Sequence, residues 1–274
     1  MKLPQIILVL LAAVVGAIIY MTPIAPIAHE VEVAETPANT VEYNIQDDLT
    51  EIKNSLDSAA LDEVNKWESS ENEFALDTLI GFYDMLRKPV GAAFFALKRA
   101  EKTNTAQDWT EAGERFLLNA KYMGEQPQKA SWFSQSRACF EKAVELDPED
   151  LDIQVDLGVC LMEGSTFMGT PPMEGIGMLK AVEAKDPKNI KALINLGYFG
   201  IKSGQFDKAE ERFKQVLAID SKYAEAYLYL ADLHERQKMF KVAIADLENY
   251  KSLINDPKKV KEVDDYILEL NKNI

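Results

Sequence analysis

Few residues in this chain of 274 have the types and spacing that chemistry requires. Two cysteines, Cys139 and Cys160, and two histidines, His29 and His234, cannot make a structural zinc site without carboxylates, and no ligand-spaced cluster exists. Neither histidine sits with a Ser or Cys in a nucleophile motif. No phosphate loop, metal motif or serine elbow is present. The acid pairs Asp47-Asp48 and Asp264-Asp265 read as solvated helix faces. The expectation is a protein that binds rather than catalyses, with no cofactor and no metal. Cys139 and Cys160 fall on helices expected to pack together. They either form a disulfide, which a compartment outside the cytoplasm permits, or remain two buried small apolar residues.

The elements that would position a binding surface are written most clearly in residues 190–223. Leu193, Leu196 and Gly197 lie on one face of a first helix, Ser203-Gly204 breaks it, and Ala209, Phe213, Val216 and Leu217 mark one face of a second. Residues 224–257 repeat the pattern: Leu196, Gly197, Phe206, Ala209 and Phe213 correspond to Leu230, Ala231, Phe240, Ala243 and Leu247. Gly197 and Ala209 are small where two antiparallel helices must cross closely, and Phe206 and Phe213 fill the space beside the crossing. Asp147-Pro148 and Asp186-Pro187 end second helices, because a residue before proline is pushed out of the helical region. A fixed period of about 34 residues with this signature resembles the tetratricopeptide repeat.

The resemblance implies an all-α fold, an α-solenoid of stacked helix–turn–helix units over residues 74–257. One hairpin cannot bury its apolar face alone, so neighbours must stack. In residues 74–107, Ile80-Gly81 is laid on Leu196-Gly197, with Ala93, Leu97 and Ala100 in the places of Ala209, Phe213 and Val216. Residues 108–150 form a longer unit broken at residues 124–127, with Phe140 aligned to Phe213. Residues 151–189 align Leu157-Gly158 with Leu196-Gly197 and carry an insertion, residues 163–172, expected to expose Phe167 and Met168. That insertion is either a binding loop or a lengthened turn. Residues 46–73 are expected to cap the first unit, a short coiled-coil seam being the alternative. Residues 258–274 form a closing helix through Val260, Val263, Ile267 and Leu270.

Residues 3–21 are an uncharged apolar run that would span about 28 Å as a helix, close to one hydrocarbon core. Prolines at 23 and 26 disfavour signal cleavage, so the run reads as an uncleaved transmembrane anchor. Lys2 precedes it and Glu30, Glu32 and Glu35 follow, which puts the bulk of the chain outside the cytoplasm. In a bacterium this is a single-pass inner-membrane protein facing the periplasm. Residues 22–45 are a proline-interrupted linker. The formal net charge of −15 argues against nucleic acid as a partner and favours a basic or apolar one.

The family binds peptides or partner proteins in a groove lined by first helices, and its motif is specific for fold but poor for function. Carried over by register, the groove positions are Asp152, Val155, Val159 and Met162, then Lys191, Ile194 and Tyr198, then Glu225, Leu228, Asp232 and Arg236. Val155, Ile194 and Leu228 stand where some members place a carboxylate-clamping lysine, so the chain departs from that type. The resulting expectation is a protein-interaction scaffold with an apolar and acidic groove, the alternative being an extracytoplasmic assembly chaperone. The sequence does not specify an oligomeric state.

Overall fold

The computed structural model describes residues 44–70 and 72–274, so the apolar run 3–21 and nearly all of the linker lie outside them. Every regular element among the described residues is helical. Two helices, α1 (Ile45–Asn54) and α2 (Ser58–Glu68), precede five hairpins. These pair α3 (Glu73–Met85) with α4 (Pro89–Thr103), and α5 (Ala106–Tyr122) with α6 (Gln126–Leu146). The third joins α7 (Leu151–Glu163) to α9 (Met173–Lys185), with the short α8 (Ser165–Met168) between them. The last two are α10 (Ile190–Lys202) with α11 (Phe206–Ile219), and α12 (Ala224–Arg236) with α13 (Phe240–Leu253). Helix α14 (Pro257–Leu270) follows.

Local chemistry sets these boundaries. Side-chain oxygens of Asn72, Thr105, Asp150, Asn189 and Asp256 accept from backbone N–H groups in the first turns of α3, α5, α7, α10 and α14. Pro89 and Pro257 open α4 and α14, where a missing N–H costs nothing. Gly204 turns the chain between α10 and α11 with φ +73°.

Within each hairpin the helices pack along their length, and from α5 onward each first helix also touches the next. Helices α5, α7, α10 and α12 therefore run side by side as one inner wall. The expected crossings are present. A Cβ on Gly197 would fall 2.4 Å from Phe213, and one on Gly113 would fall 2.8 Å from Phe140. Successive hairpins are tied by ring contacts such as Phe213 stacked on Tyr229, centroids 5.4 Å apart.

The first hairpin differs from expectation. Gly81 is exposed, and nothing would lie within 4 Å of a Cβ there. Helices α3 and α4 begin at Glu73 and Pro89, which places Ile80 rather than Gly81 at the position of Gly197, a slip of one residue. Ala96 then falls at the position of Phe213, too small to fill the crossing. Tyr83 of the first helix fills it instead, lying over Gly91 and stacking on Phe95 with centroids 5.4 Å apart.

The insertion is also less open than expected. Phe167 and Met168 are half-buried, and the Phe167 ring stacks on Phe133 of α6 at 5.3 Å. An isolated turn with apolar side chains gains most by covering the core beside it.

At the ends, α1 packs on α4 and α2 on α3, burying Leu49 and Val64 in the core of the first hairpins. Helix α14 buries Val263, Ile267 and Leu270 against Ala231, Ala243 and Leu247. Both ends of the array are thus covered by helices, as stacked repeats require.

Candidate functional site

The positions singled out on the inner wall divide into two sets. Val155, Val159, Met162 and Ile194 are buried and belong to the core clusters. Asp152, Glu225, Leu228 and Arg236 are exposed, and Lys191, Tyr198 and Asp232 are half-buried. Side-by-side packing of the first helices covers the central apolar positions, so the open part of the wall is narrower than register alone implies. Its polar members are already engaged. Asn189 Nδ2 donates to Asp152 at 2.9 Å, Lys191 Nζ to Asp156 at 2.6 Å, and Arg236 Nε to Asp232 at 2.8 Å.

Where the wall stays open, Tyr122, Lys121, Glu163, Asn195, Tyr198 and Tyr229 line a recess. Phe167 and Lys129 close its flank. Tyr198 and Tyr229 lie 5.6 Å apart by centroid, and the Tyr229 hydroxyl donates to Glu225 at 3.0 Å. Lys202 Nζ sits 4.5 Å from the Tyr198 ring centre and 3.2 Å from Glu163. This mixture of aromatic faces and alternating charges suits a peptide chain. Tyr122, Asn195 and Tyr229 were not among the positions expected from register.

Asp156, next to the Val155 position, is the buried carboxylate of this wall. Burial pushes it up to about 6, against the opposing pull of Lys191. An unfolded aspartate titrates at about 3.9, so between these values the folded chain holds a proton that the unfolded chain releases. The resulting stabilisation is present below about pH 4 and is lost as pH rises through about 6, for a change of about 2–3 kcal/mol. Thermal midpoints measured from pH 4 to 7 should contain this downward slope, and Asp156→Asn should remove it. An identical slope in the variant would contradict the assignment.

Other titratable groups are built into the packing. His234 is buried, its Nδ1 2.7 Å from Asp246 and its Nε2 3.6 Å from Glu210, so it joins α11, α12 and α13. Cys139 and Cys160 are both free and buried, and the Cys160 thiol donates to the Phe133 carbonyl at 3.6 Å. Burial pushes Cys139 up to about 12 and Cys160 up to about 11. Thiolate is the reactive form, so neither should react with a disulfide reagent at pH 8 in the native protein. Two equivalents should react once denaturant is added. Rapid native labelling, or no thiol titre after unfolding, would contradict this.

Among the described residues no cluster of His, Cys, Asp or Glu could hold a metal ion, and no helix is long and apolar enough to cross a membrane. Residues 200–251 match the family model for the tetratricopeptide repeat. No curated protein matches the chain. Among solved structures, TTC0263, a thermophilic TPR protein of Thermus thermophilus, is 16% identical with a TM-score of 0.54. That match covers 73% of this chain and 98% of the other. MamA from Desulfovibrio magneticus RS-1 is 15% identical over 66% of this chain and 94% of its own, TM-score 0.46. YrrB, a TPR protein with an unusual peptide-binding site, is 16% identical over 72% of this chain and 94% of its own, TM-score 0.42. Residues 200–251 thus match a tetratricopeptide repeat, and stacked hairpins of similar design precede them in the chain.

Proposed function

We propose that this protein is a membrane-anchored scaffold that holds a segment of a partner protein along its inner wall. The observation that carries the reading is the continuity of α5, α7, α10 and α12, with open aromatic and apolar side chains upon it. Stacked repeats present an extended surface of this kind, and an extended surface suits a polypeptide better than a small substrate. Leu228, 40% exposed, and Tyr198 offer apolar contact, while Asp152, Glu225 and Asp232 favour basic side chains on the bound segment. Val155, Val159, Met162 and Ile194 serve as the floor, and Lys191 and Arg236 orient the acids beside them. The role is binding, with no catalytic step. Residues 3–21 supply the anchor in a bacterial inner membrane, and the array faces the periplasm.

A photo-crosslinking residue at Leu228, in intact cells, should capture one partner in fixed stoichiometry. Tyr198→Asp should reduce that capture at least tenfold without altering the helical spectrum. Capture unaffected by Tyr198→Asp would remove the reading, and transient capture of many unfolded chains would replace the scaffold with a chaperone. Ile194→Asp is unsuitable, because a buried charge unfolds the array whatever it binds. A phosphatase fused after Asn44 should be active outside the cytoplasm, and an inactive fusion would reverse the orientation.

A further inference from the structure

A second cleft lies where the third hairpin meets the fourth, sharing Met162 of the inner wall and Lys202 beside Tyr198. Its floor is apolar: Met162 and Leu196 are buried, and Ile176 and Phe199 are half-buried. Met173, at the start of α9, stands 63% exposed on its edge. The charged residues that line it are all cationic, Lys180, Lys202, Lys208 and Arg212, in a chain whose formal net charge is −15. Two of them are held by acids behind the rim: Arg212 Nε pairs with Glu183 at 2.9 Å, and Lys202 pairs with Glu163 at 3.2 Å. Lys208 reaches only the Gln205 side-chain oxygen, at 3.2 Å. Among the described residues, no carboxylate lies within ion-pair distance of Lys180 or Lys208. Both are exposed.

The cleft owes its form to the irregular third unit. Residues 163–172 delay the start of α9, and Pro172 and Met173 stand at its mouth. The cations come from three helices, with Lys180 on α9, Lys202 at the end of α10, and Lys208 and Arg212 one turn apart on α11. Cations placed on three helices offer separate partners to carboxylates spaced along a chain. We infer that this cleft is a second docking site, which takes an acidic segment of a partner protein by seating an apolar side chain over Ile176 and Phe199 and its flanking carboxylates on Lys180 and Lys208. The charge preference is opposite to that of the inner wall, so the two surfaces select different segments.

The test uses the full chain in detergent and a dye-labelled peptide, Glu-Glu-Leu-Phe-Glu-Glu, capped at both ends so that its only carboxylates are side chains. Anisotropy titration at low salt should show binding at least tenfold tighter than for the matching lysine peptide. The double variant Lys180→Glu/Lys208→Glu, confined to exposed side chains, should weaken the acidic peptide at least tenfold. Leu228→Asp, on the inner wall, should leave its affinity unchanged. No binding at millimolar peptide, equal affinity for the double variant, or loss only on Leu228→Asp would each overturn the inference. So would laurate binding with the same dependence on the two lysines while the peptide does not bind, which would make the cleft a site for an anionic amphiphile. Apart from loss only on Leu228→Asp, which would put the acidic peptide on the inner wall, none of these outcomes bears on whether the inner wall holds its own partner.

Discussion

Replacing Arg99 by methionine is expected to destabilise the array by about 3 kcal/mol, a large effect for one side chain. Arg99 lies at the junction of α3, α4 and α5, its side chain 14% exposed. Nη1 pairs with Asp77 at 2.7 Å and Nε with Asp108 at 3.0 Å, and Nη2 bonds to Glu111. Arg115 extends the cluster to Asp84 at 3.0 Å and to Glu111 at 2.9 Å. Burial works against both charged partners. It pushes Asp108 up, but hydrogen bonds from Thr103 and Thr105 and the Arg99 charge outweigh it and hold the carboxyl low. Burial likewise disfavours the Arg99 cation, and Asp77 and Glu111 more than compensate. Removing the guanidinium leaves Asp108 and Glu111 close together in a poorly solvated seam. Breaking a fully buried pair costs about 3–5 kcal/mol, and the low end applies here because the cluster is half-buried and Asp77 can rehydrate. Urea unfolding of Arg99→Met checks the loss, and Asp108→Asn in the same background should recover part of it. A loss under about 1 kcal/mol would place the cluster among ordinary surface ion pairs.

The second large effect separates two glycines on one helix. A Cβ on Gly175 would fall 2.3 Å from the Gly158 carbonyl oxygen and 3.1 Å from the Met162 backbone nitrogen, so α7 and α9 meet backbone to backbone. At Gly177, nothing lies within 4 Å of an added Cβ. Helix propensity alone favours alanine over glycine by about 1 kcal/mol at each. Gly177→Ala should therefore gain about 0.5–1 kcal/mol, and Gly175→Ala should lose about 3 kcal/mol because a backbone contact cannot swing aside. Opposite signs in thermal unfolding are the required result. A gain at both positions would mean that the helices can separate at little cost.

Hairpins 190–223 and 224–257 were legible because Leu196, Gly197 and Phe213 have counterparts at a constant offset and do the same packing work. Gly113 against Phe140 follows the same rule in a longer unit. The first hairpin slipped by one residue because its crossing is filled from the opposite helix, by Tyr83 over Gly91, and a motif laid on Gly81 cannot reveal that exchange. The Arg99 cluster was invisible, since its partners Asp77, Asp108 and Glu111 follow no repeat spacing. On the inner wall, register assigned positions on α7, α10 and α12. It could not tell how closely those helices approach, and that distance decides whether Val155 and Ile194 are floor or surface. The proposed anchor lies outside the described residues, so residues 3–21 stand on their hydropathy.

Among the described residues, helix α10 contributes to two of the three core clusters, Leu196 to the one before it and Leu193 and Ile194 to the one after. Linear stacks lose order from their ends, and each interface they cross sets the next threshold. Amide exchange should therefore show the C-terminal hairpins opening first, while α5, α6 and α7 stay protected. Any cargo that bridges α9 and α11 would act as a clasp at that fracture line, so occupancy would be felt as resistance to fraying some distance from where the cargo sits.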